Sequence, residues 1–213
     1  FITIEIKYQA PKTIPKLQME AITLPVILGE VDILKTLQLL PGVQSSGEGN
    51  SGFYVRGGGP DQNLVLLDEA TVYNSGHLFG FFSVFNSDAI NSVTLIKGGM
   101  PAEYGGRLSS VVNVNMKEGN NQTYHATGGV GLIASRLTLE GPIQKGKSSF
   151  MMAARRTYID ALFRPFLVAM EETDAGYFFH DFNAKLQHKI NEKHHLYLSG
   201  YFGLDKLFVR EKP

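Results

Sequence analysis

The chain has 213 residues, is 43% hydrophobic, and balances 20 lysine and arginine residues against 20 aspartate and glutamate residues. This neutral charge argues against nucleic-acid binding, because that affinity depends on an excess of basic side chains. The sequence has no cysteine, which excludes disulfides, thiolate metal sites and a cysteine nucleophile.

Membrane-spanning helices are not indicated by the sequence. No stretch approaches the ~20 apolar residues that such a helix needs, whereas a strand of a membrane barrel needs only about 9–11 residues with one apolar face. The chain starts at Phe1 and shows no signal peptide. We therefore expect an excerpt of a longer protein, or a chain whose export signal has been removed.

The N-terminal region predicts one strand and one helix. Residues Phe1–Tyr8 alternate apolar and polar side chains, which is typical of a half-buried strand. Residues Glu30–Leu40 place apolar side chains at helical spacing, and Pro41 ends that pattern. Glu30 and Asp32 are expected in the first turn of the helix, where its dipole favours acidic side chains. We expect the apolar stripe to pack into a core.

The middle of the chain predicts a small α+β domain that ends near Gly119. The predicted strands are Gly52–Arg56, Asn63–Asp68, Ile90–Lys97 and Ser109–Met116. The glycine-rich sequence between the first two strands strongly predicts a turn. A short helical or irregular stretch is expected around Leu78–Asp88. Strands mixed with short helices and turns are typical of the α+β class.

The rest of the chain predicts five longer strands. Alternation is clearest in Phe178–Ile190, where one face carries apolar and histidine side chains and the other carries aspartate, asparagine, lysine and glutamine. The apolar positions change phase between Tyr124–Leu132 and Leu137–Ile143, so a tight turn is expected near Ile133–Ser135. The remaining strands are predicted in 148–158 and 195–205, and the four connections would have roughly 3, 6, 18 and 4 residues.

Two environments explain alternating strands of this length. In a soluble sheet the apolar face packs on a protein core, whereas in an outer-membrane barrel it meets lipid and the polar face meets the lumen. The alternation alone does not separate the two. In a barrel, Ile159–Tyr177 is expected to be an outer loop, because bacterial barrels have short periplasmic turns and longer outer loops.

Two motifs resemble the plug domain of TonB-dependent outer-membrane receptors. In Tyr54–Asp68 an apolar strand ends in Arg-Gly, a loop follows, and a second strand ends in aspartate. In Ile90–Val114 a strand ends in Lys-Gly, and a loop with Tyr-Gly leads into a final strand. Pro41-Gly42-Val43 also matches, and the sequence is similar to the Bacteroidetes branch of the family. Glu69 departs from the glycine of many members, and residues 1–24 contain no clear TonB box.

The resemblance implies an α+β plug domain followed by antiparallel β-strands of an incomplete transmembrane β-barrel. Residues 1–24 would be an N-terminal strand and linker, 25–119 the plug, and 120–213 about the first five strands of the barrel. Barrels of this family have about 22 strands, so five cannot close.

The function implied by the resemblance is TonB-dependent, energised uptake of a scarce or bulky nutrient across a Gram-negative outer membrane, with the plug gating the barrel lumen. The implied partners are TonB, outer-membrane lipid, and a small-molecule, metal-chelate or oligosaccharide ligand, with a surface lipoprotein as a further partner. No enzymatic activity, cofactor, metal site or nucleic-acid partner is implied.

The resemblance also implies two sets of site residues. Ligand contacts are expected from two plug loops, at Gly58, Gly59, Asp61, Gln62, Tyr73, Asn74 and His77. Structural locks, within the plug or to the barrel wall, are expected at Arg56, Asp68, Lys97, Glu103 and Arg107. The alternative for each lock is an ordinary solvated charge at the end of a strand.

Other kinds of site find little support in the sequence. Gly57–Gly59 is not a phosphate loop, because no Gly-Lys-Ser/Thr follows. The six histidines form no His-Glu-x-x-His motif, and Ser109-Ser110 lacks a nucleophile elbow. Arg155 and Arg156 could recognise an anion, but neighbours along a strand are expected to face different environments.

Two alternative functions remain open at the level of sequence. A soluble α+β or β-sandwich domain that binds carbohydrate would explain the turns, the aromatic residues and the neutral charge, but not the paired plug motifs. A glycan-active enzyme would need two carboxylates facing one cleft, and no such pair is obvious in the sequence.

Overall fold

The structure is a computed structural model that describes residues 3–7, 18–19, 26–27, 30–47, 51–162 and 173–211. The chain divides into two compact units, one of residues 1–25 and 31–117 and one of residues 26–30 and 118–213. Most of the predicted linker 1–24 and the centre of the predicted loop 159–177 lie outside the described residues. Within the described ranges, no helix is long and apolar enough to cross a membrane.

The elements up to residue 116 are short strands and one α-helix among the described residues. The strands are β1 (Thr3–Lys7), β2 (Gln18–Met19), β3 (Val26–Ile27), β4 (Glu30–Val31), β5 (Val43–Ser45), β6 (Phe53–Val55), β7 (Asn63–Leu67), β8 (Ala70–Thr71), β9 (Gly76–His77), β10 (Phe82–Ser83), β11 (Ile90–Lys97) and β12 (Ser110–Met116). The helix α1 (Ile33–Gln38) lies between β4 and β5, and three-residue 3₁₀ helices follow at Pro60–Gln62, Leu78–Gly80 and Ser87–Ala89.

Six of these strands form a mixed sheet in the order β2-β1-β11-β12-β7-β8. β1 is parallel to β11 and β12 is parallel to β7, whereas the other neighbours are antiparallel. Register places Val93 opposite Val114 and Leu95 opposite Val112, and all four side chains are fully buried. A second cluster contains Leu64, Leu66, Ile96 and Val111, with Met100 and Tyr104 packed against it. The sheet therefore carries apolar side chains on both faces.

The helix is shorter than the sequence predicts. Glu30 lies in β4, and Asp32 has extended backbone angles, so the prediction that both lie in the first helical turn is wrong. Asp32 is the N-cap, because its side chain accepts a hydrogen bond from the amide of Lys35 at 3.1 Å. Leu34 and Leu37 are fully buried, which confirms that the apolar stripe packs into a core.

The second unit contains the five predicted strands. They are β13 (His125–Val130), β14 (Ala134–Gln144), β15 (Ser148–Thr157), β16 (Thr173–Asn191) and β17 (His194–Glu211). Each is antiparallel to the next along the chain. The first turn occupies 131–133, slightly before the predicted 133–135, and the register shifts once in β14 and once near the end of β16.

In β14, β15 and β16 the two faces of the sheet differ sharply in burial, whereas β13 and β17 are largely exposed on both faces. In β16, Asp181, Asn183 and Lys185 are buried, whereas Phe182 and Leu186 are exposed. The exposed face continues across all five strands with Val130, Leu132, Leu137, Leu139, Ile143, Met152, Ile190, Leu196, Leu198, Phe202 and Leu204. The buried face is mixed, since Met151, Ala153 and Phe179 accompany the polar residues. The outward surface is thus apolar, which is the reverse of a soluble sheet with one solvated face.

Candidate functional site

Two loops of the first unit meet at one end of the mixed sheet. β7 and β12 are parallel, and Ser110 lies opposite Asn63, so the loops that precede them emerge at the same end. The amide of Ser109 donates to the Gln62 carbonyl at 3.0 Å, and its hydroxyl donates to the Val55 carbonyl at 2.7 Å. The buried Asn63 donates to the Phe53 carbonyl at 2.7 Å. These bonds hold the predicted ligand loop in a defined conformation.

The predicted contact Gly58 sits at the closest approach of the two loops. A Cβ added at Gly58 would lie 2.5 Å from the Cβ and Oγ of Ser109, which is closer than real Cβ atoms come. Gly57 has φ +85° but open space around it, so its glycine is required by conformation. The other predicted contacts of this loop are accessible, since Gly59 and Gln62 are partly exposed and Asp61 is exposed.

Arg56 and Lys97 lie together at this same end of the sheet. The Nζ of Lys97 donates to the Pro41 carbonyl at 2.6 Å, and the amide of Arg56 donates to the Gly42 carbonyl at 3.2 Å. Burial, and after it the positive charge of Arg56, lowers the pKa of Lys97 below its ordinary value. The two residues connect strand ends to the turn that follows α1, and their role as locks stays a prediction.

The second predicted ligand loop places its three residues in different environments. Tyr73 is 88% exposed, and the side chain of Asn74 accepts a hydrogen bond from the amide of Gly76 at 3.3 Å. His77 is 4% exposed and lies opposite Phe82 in the β9–β10 pair. Of the three, Tyr73 is therefore the most available for contact with a ligand in this structure.

An exposed aromatic tip next to His77 was not among the predicted residues. Leu78, Phe79 and Gly80 have consecutive φ values of 48°, 55° and 93°, a left-handed run that is uncommon for residues with side chains. This run turns Phe79 outward, where it is 89% exposed. Only the neighbouring Gly80 could have indicated it in the sequence.

Asp68 and Glu69 form the tight turn between β7 and β8. Their φ values are 45° and 71°, and left-handed positions of this kind favour glycine or asparagine. The side chain of Asp68 accepts a hydrogen bond from the amide of Met116 at 2.9 Å, while its own amide donates to the Val114 carbonyl. Asp68 thus joins the ends of β7 and β12, and Glu69 occupies a position that suits glycine better.

The predicted lock Glu103 lines a cleft of about 510 Å³ on the mixed sheet. The cleft is bordered by Leu64, Leu66, Glu69, Thr71, Glu103, Tyr104, Gly105 and Asn113. Arg107, the last predicted lock, donates to the Gly106 carbonyl at 2.9 Å. Among the described residues, no group of three or more histidine, aspartate or glutamate side chains could hold a metal ion.

Comparison with known protein families finds a match to part of the chain. The family description TonB-dependent Receptor Plug Domain matches residues 13–112. These residues, just under half of the chain, are similar to TonB-dependent receptor plug domains. Comparison with curated proteins finds no match.

Two solved structures share the fold of the plug domain and the strands that follow it. The siderophore receptor PirA from Acinetobacter baumannii matches with 21% identity and a TM-score of 0.58, over 83% of this chain and 29% of that protein. PirA from Pseudomonas aeruginosa matches with 18% identity and a TM-score of 0.58, over 86% of this chain and 32% of that protein. The chain spans less than a third of either receptor. The predicted fold, a plug domain followed by antiparallel strands of a partial barrel, is confirmed.

Beyond the plug domain, the buried face of the strands contains an ion pair that sequence reasoning did not identify. Arg155 donates to one carboxylate oxygen of Asp181 at 2.8 and 2.5 Å, and both side chains are almost fully buried. The hydroxyl of Tyr201 donates to the other oxygen at 2.8 Å. Arg156 is exposed and lies over the Phe178 ring, so the two arginines face different environments as predicted.

Proposed function

We propose that this chain is the plug and the first wall strands of an outer-membrane receptor that imports a nutrient with energy supplied through TonB. One observation supports this most strongly: the five-stranded sheet exposes its apolar face and buries aspartate, asparagine, lysine and arginine on the other. Membrane barrels have this polarity, because their outward side chains meet lipid and their inward side chains face a polar interior.

Residues 25–119 form the plug, residues 120–213 form about the first five strands of the barrel, and residues 1–24 precede them as strand and linker. The plug gates the lumen, and the protein transports without chemical turnover. Of the ligand classes considered, a metal chelate is the first to test, because both solved relatives are siderophore receptors. A small molecule or an oligosaccharide follows, with a surface lipoprotein as a further partner.

A soluble carbohydrate-binding domain does not explain the exposed apolar face of the five-stranded sheet. A soluble domain rarely exposes a contiguous apolar surface larger than a few hundred Å². Here Leu137, Met152 and Phe202 are all between 40% and 56% exposed on that face, and they belong to three different strands. A soluble carbohydrate-binding domain would leave this surface in water, whereas an outer-membrane wall gives it lipid.

Fractionation tests the proposal on the full-length protein that carries this chain. We expect recovery in the outer-membrane fraction, resistance to alkaline extraction, and a band that migrates faster on gels before boiling than after it. Uptake of the ligand should stop when TonB is deleted and return when TonB is restored. Recovery of a folded protein in the soluble fraction, without heat-dependent migration, would refute the outer-membrane assignment.

The predicted ligand loops can be tested by a matched pair of substitutions. Tyr73→Ala removes a side chain that is 88% exposed, and we expect weaker ligand binding with unchanged membrane insertion. Leu39→Ala is the control, because Leu39 is also exposed, at 64%, and lies after α1 outside both predicted loops. Equal binding by the Tyr73 variant and wild type would remove Tyr73 from the site.

A further inference from the structure

A small apolar cleft lies on the exposed face of the five-stranded sheet. Its volume is about 300 Å³, and it is lined by Ile143, Ser148, Leu186, Gln187, His188, Leu196 and Leu198. This volume is at the lower end of the range for ligand pockets, roughly 300–1,000 Å³. None of the lining residues belongs to the plug region 25–119 or to the predicted ligand residues.

Register and one bulge explain why these side chains surround a hollow. Ser148 lies opposite His188, and His188 lies opposite Leu196 on the next strand. The register of β14 shifts between Pro142 and Gln144, which places Ile143 at the bulge. The Ser148 hydroxyl and His188 Nδ1 are 2.6 Å apart, so the cleft has one polar pair within apolar walls.

The rim beside the cleft is rich in positive charge. It consists of two neighbouring turns, 145–147 and 192–193, which the backbone bond from the Lys189 amide to the Lys147 carbonyl at 2.8 Å brings together. Lys145, Lys147 and Lys193 are exposed there, and His194 and His195 follow at once.

One acidic residue of these turns is already engaged. Glu192 lies 2.7 Å from Lys189, and the hydrogen bond and charge of Lys189 lower the pKa of the Glu192 carboxyl. Glu192 therefore stays ionised and is compensated by Lys189, which leaves the charge of Lys145, Lys147 and Lys193 to dominate the rim.

We propose that the cleft binds an acyl chain of an anionic phospholipid, whose phosphate contacts the lysines of the two turns. The inference rests on the proposed function, because the apolar face meets lipid only in a membrane. Short turns of bacterial barrels lie on the periplasmic side, so the lipid belongs to the inner leaflet of the outer membrane. The basic rim selects an anionic headgroup, because each lysine near such a headgroup is favourable and a zwitterionic one offers less net attraction.

Native mass spectrometry of the full-length receptor in mild detergent tests this with two added lipids, phosphatidylglycerol and phosphatidylcholine. Lys145→Gln/Lys147→Gln/Lys193→Gln removes the rim charge, and Leu196→Asn/Leu198→Asn makes the cleft polar. The controls are Lys206→Gln and Leu204→Asn on β17, roughly 30 Å or more along the strand from the rim. Both control residues are exposed, and Lys206 lies over Phe178.

The two variants have different expected results. The lysine variant should bind phosphatidylglycerol at least about tenfold more weakly and phosphatidylcholine almost unchanged. The leucine variant should lose both lipids, and the controls should behave as wild type. If the wild type, the two variants and the two controls all formed equal amounts of lipid adduct with the same headgroup preference, the lipid site would be overturned. If that result came from a receptor recovered in the outer membrane, the proposed function would stand, whereas a soluble receptor would overturn both.

Discussion

Asp32 connects the start of α1 to a strand far away in the sequence, and its removal should have a large local effect. The side chain is 3% exposed. One oxygen accepts from the Lys35 amide at 3.1 Å, and the other accepts from the Ser83 amide at 2.8 Å. Asp32→Ala removes both acceptors and leaves the amide of Ser83, a residue 1% exposed, without this bond.

The expected cost follows from these two bonds. Loss of an N-cap side chain costs about 0.5–2 kcal/mol, typically about 1. A buried amide that loses its acceptor costs about 1–3 kcal/mol more. The sum is about 2–4 kcal/mol for local opening, and Asp32→Asn should cost less because one carbonyl oxygen remains as an acceptor.

Hydrogen exchange of the full-length protein that carries this chain measures this effect at the affected amides. Since about 1.4 kcal/mol corresponds to a factor of ten, Asp32→Ala should speed exchange at Lys35 and Ser83 by roughly 30- to 700-fold. Asp61→Ala is the matched control, because Asp61 is exposed and is expected to change stability by less than about 0.5 kcal/mol. Unchanged exchange at Ser83 in Asp32→Ala would show that the cap is not what holds these two segments together.

Four further predictions concern single contacts. Gly58→Ala should destabilise its loop by about 1–3 kcal/mol, because the added Cβ would clash with Ser109. Gly57→Ala should cost less, about 1 kcal/mol, because it adds only backbone strain. The hydrogen-exchange rate of the Gln62 amide in the two variants measures the difference. Glu69→Gly should slow hydrogen exchange of the Val72 amide severalfold, because glycine adopts the left-handed conformation at φ 71° with less backbone strain than glutamate does. Arg56→Gln should raise the pKa of Lys97 in an NMR titration. In the wild type, the lowered pKa means that the folded state binds the Lys97 proton less tightly than the unfolded state does. The free energy of unfolding therefore rises as the pH approaches the ordinary value of 10.5 from below. Arg155→Met should destabilise the five-stranded sheet by about 3–5 kcal/mol, because the buried Asp181 carboxylate loses the compensating charge of Arg155. Arg155→Met/Asp181→Leu should be closer to wild type in the temperature at which heat-dependent gel migration is lost.

The sequence predicts most strands well because strand periodicity is local. β11 occupies Ile90–Lys97 as predicted, and the phase change after Leu132 places the first turn of the second unit to within about two residues. The start of α1 could not be predicted in the same way. Its N-cap is fixed partly by the bond from Ser83 to Asp32, and no local pattern shows which distant amide a buried carboxylate will accept.

The candidate site is predicted less completely than the fold. The loop that contains Gly58 could be predicted, because three glycines followed by Pro-Asp strongly favour a turn. His77 could not be recognised as buried, because its burial depends on the pairing with Phe82 across a short hairpin. Arg155 and Asp181 lie directly opposite each other on β15 and β16, yet that register depends on a connection partly outside the described residues. Roles that depend on such pairings need the structure.

Register also shows that the apolar face of the second unit is specified by the sequence. Apolar residues occupy even positions in β13 and odd positions in β14, but the turn at 131–133 aligns Leu139 with Ala126 on one side and Met152 on the other. The change from even to odd apolar positions is offset by the length of the turn, so the apolar side chains of neighbouring strands lie on the same face of the sheet. A soluble sheet would bury that face, since each large apolar side chain contributes roughly 1.5–3 kcal/mol on burial. Here it is the face with Asp181 and Lys185 that is buried, which is the arrangement expected if the apolar face meets lipid, as proposed above.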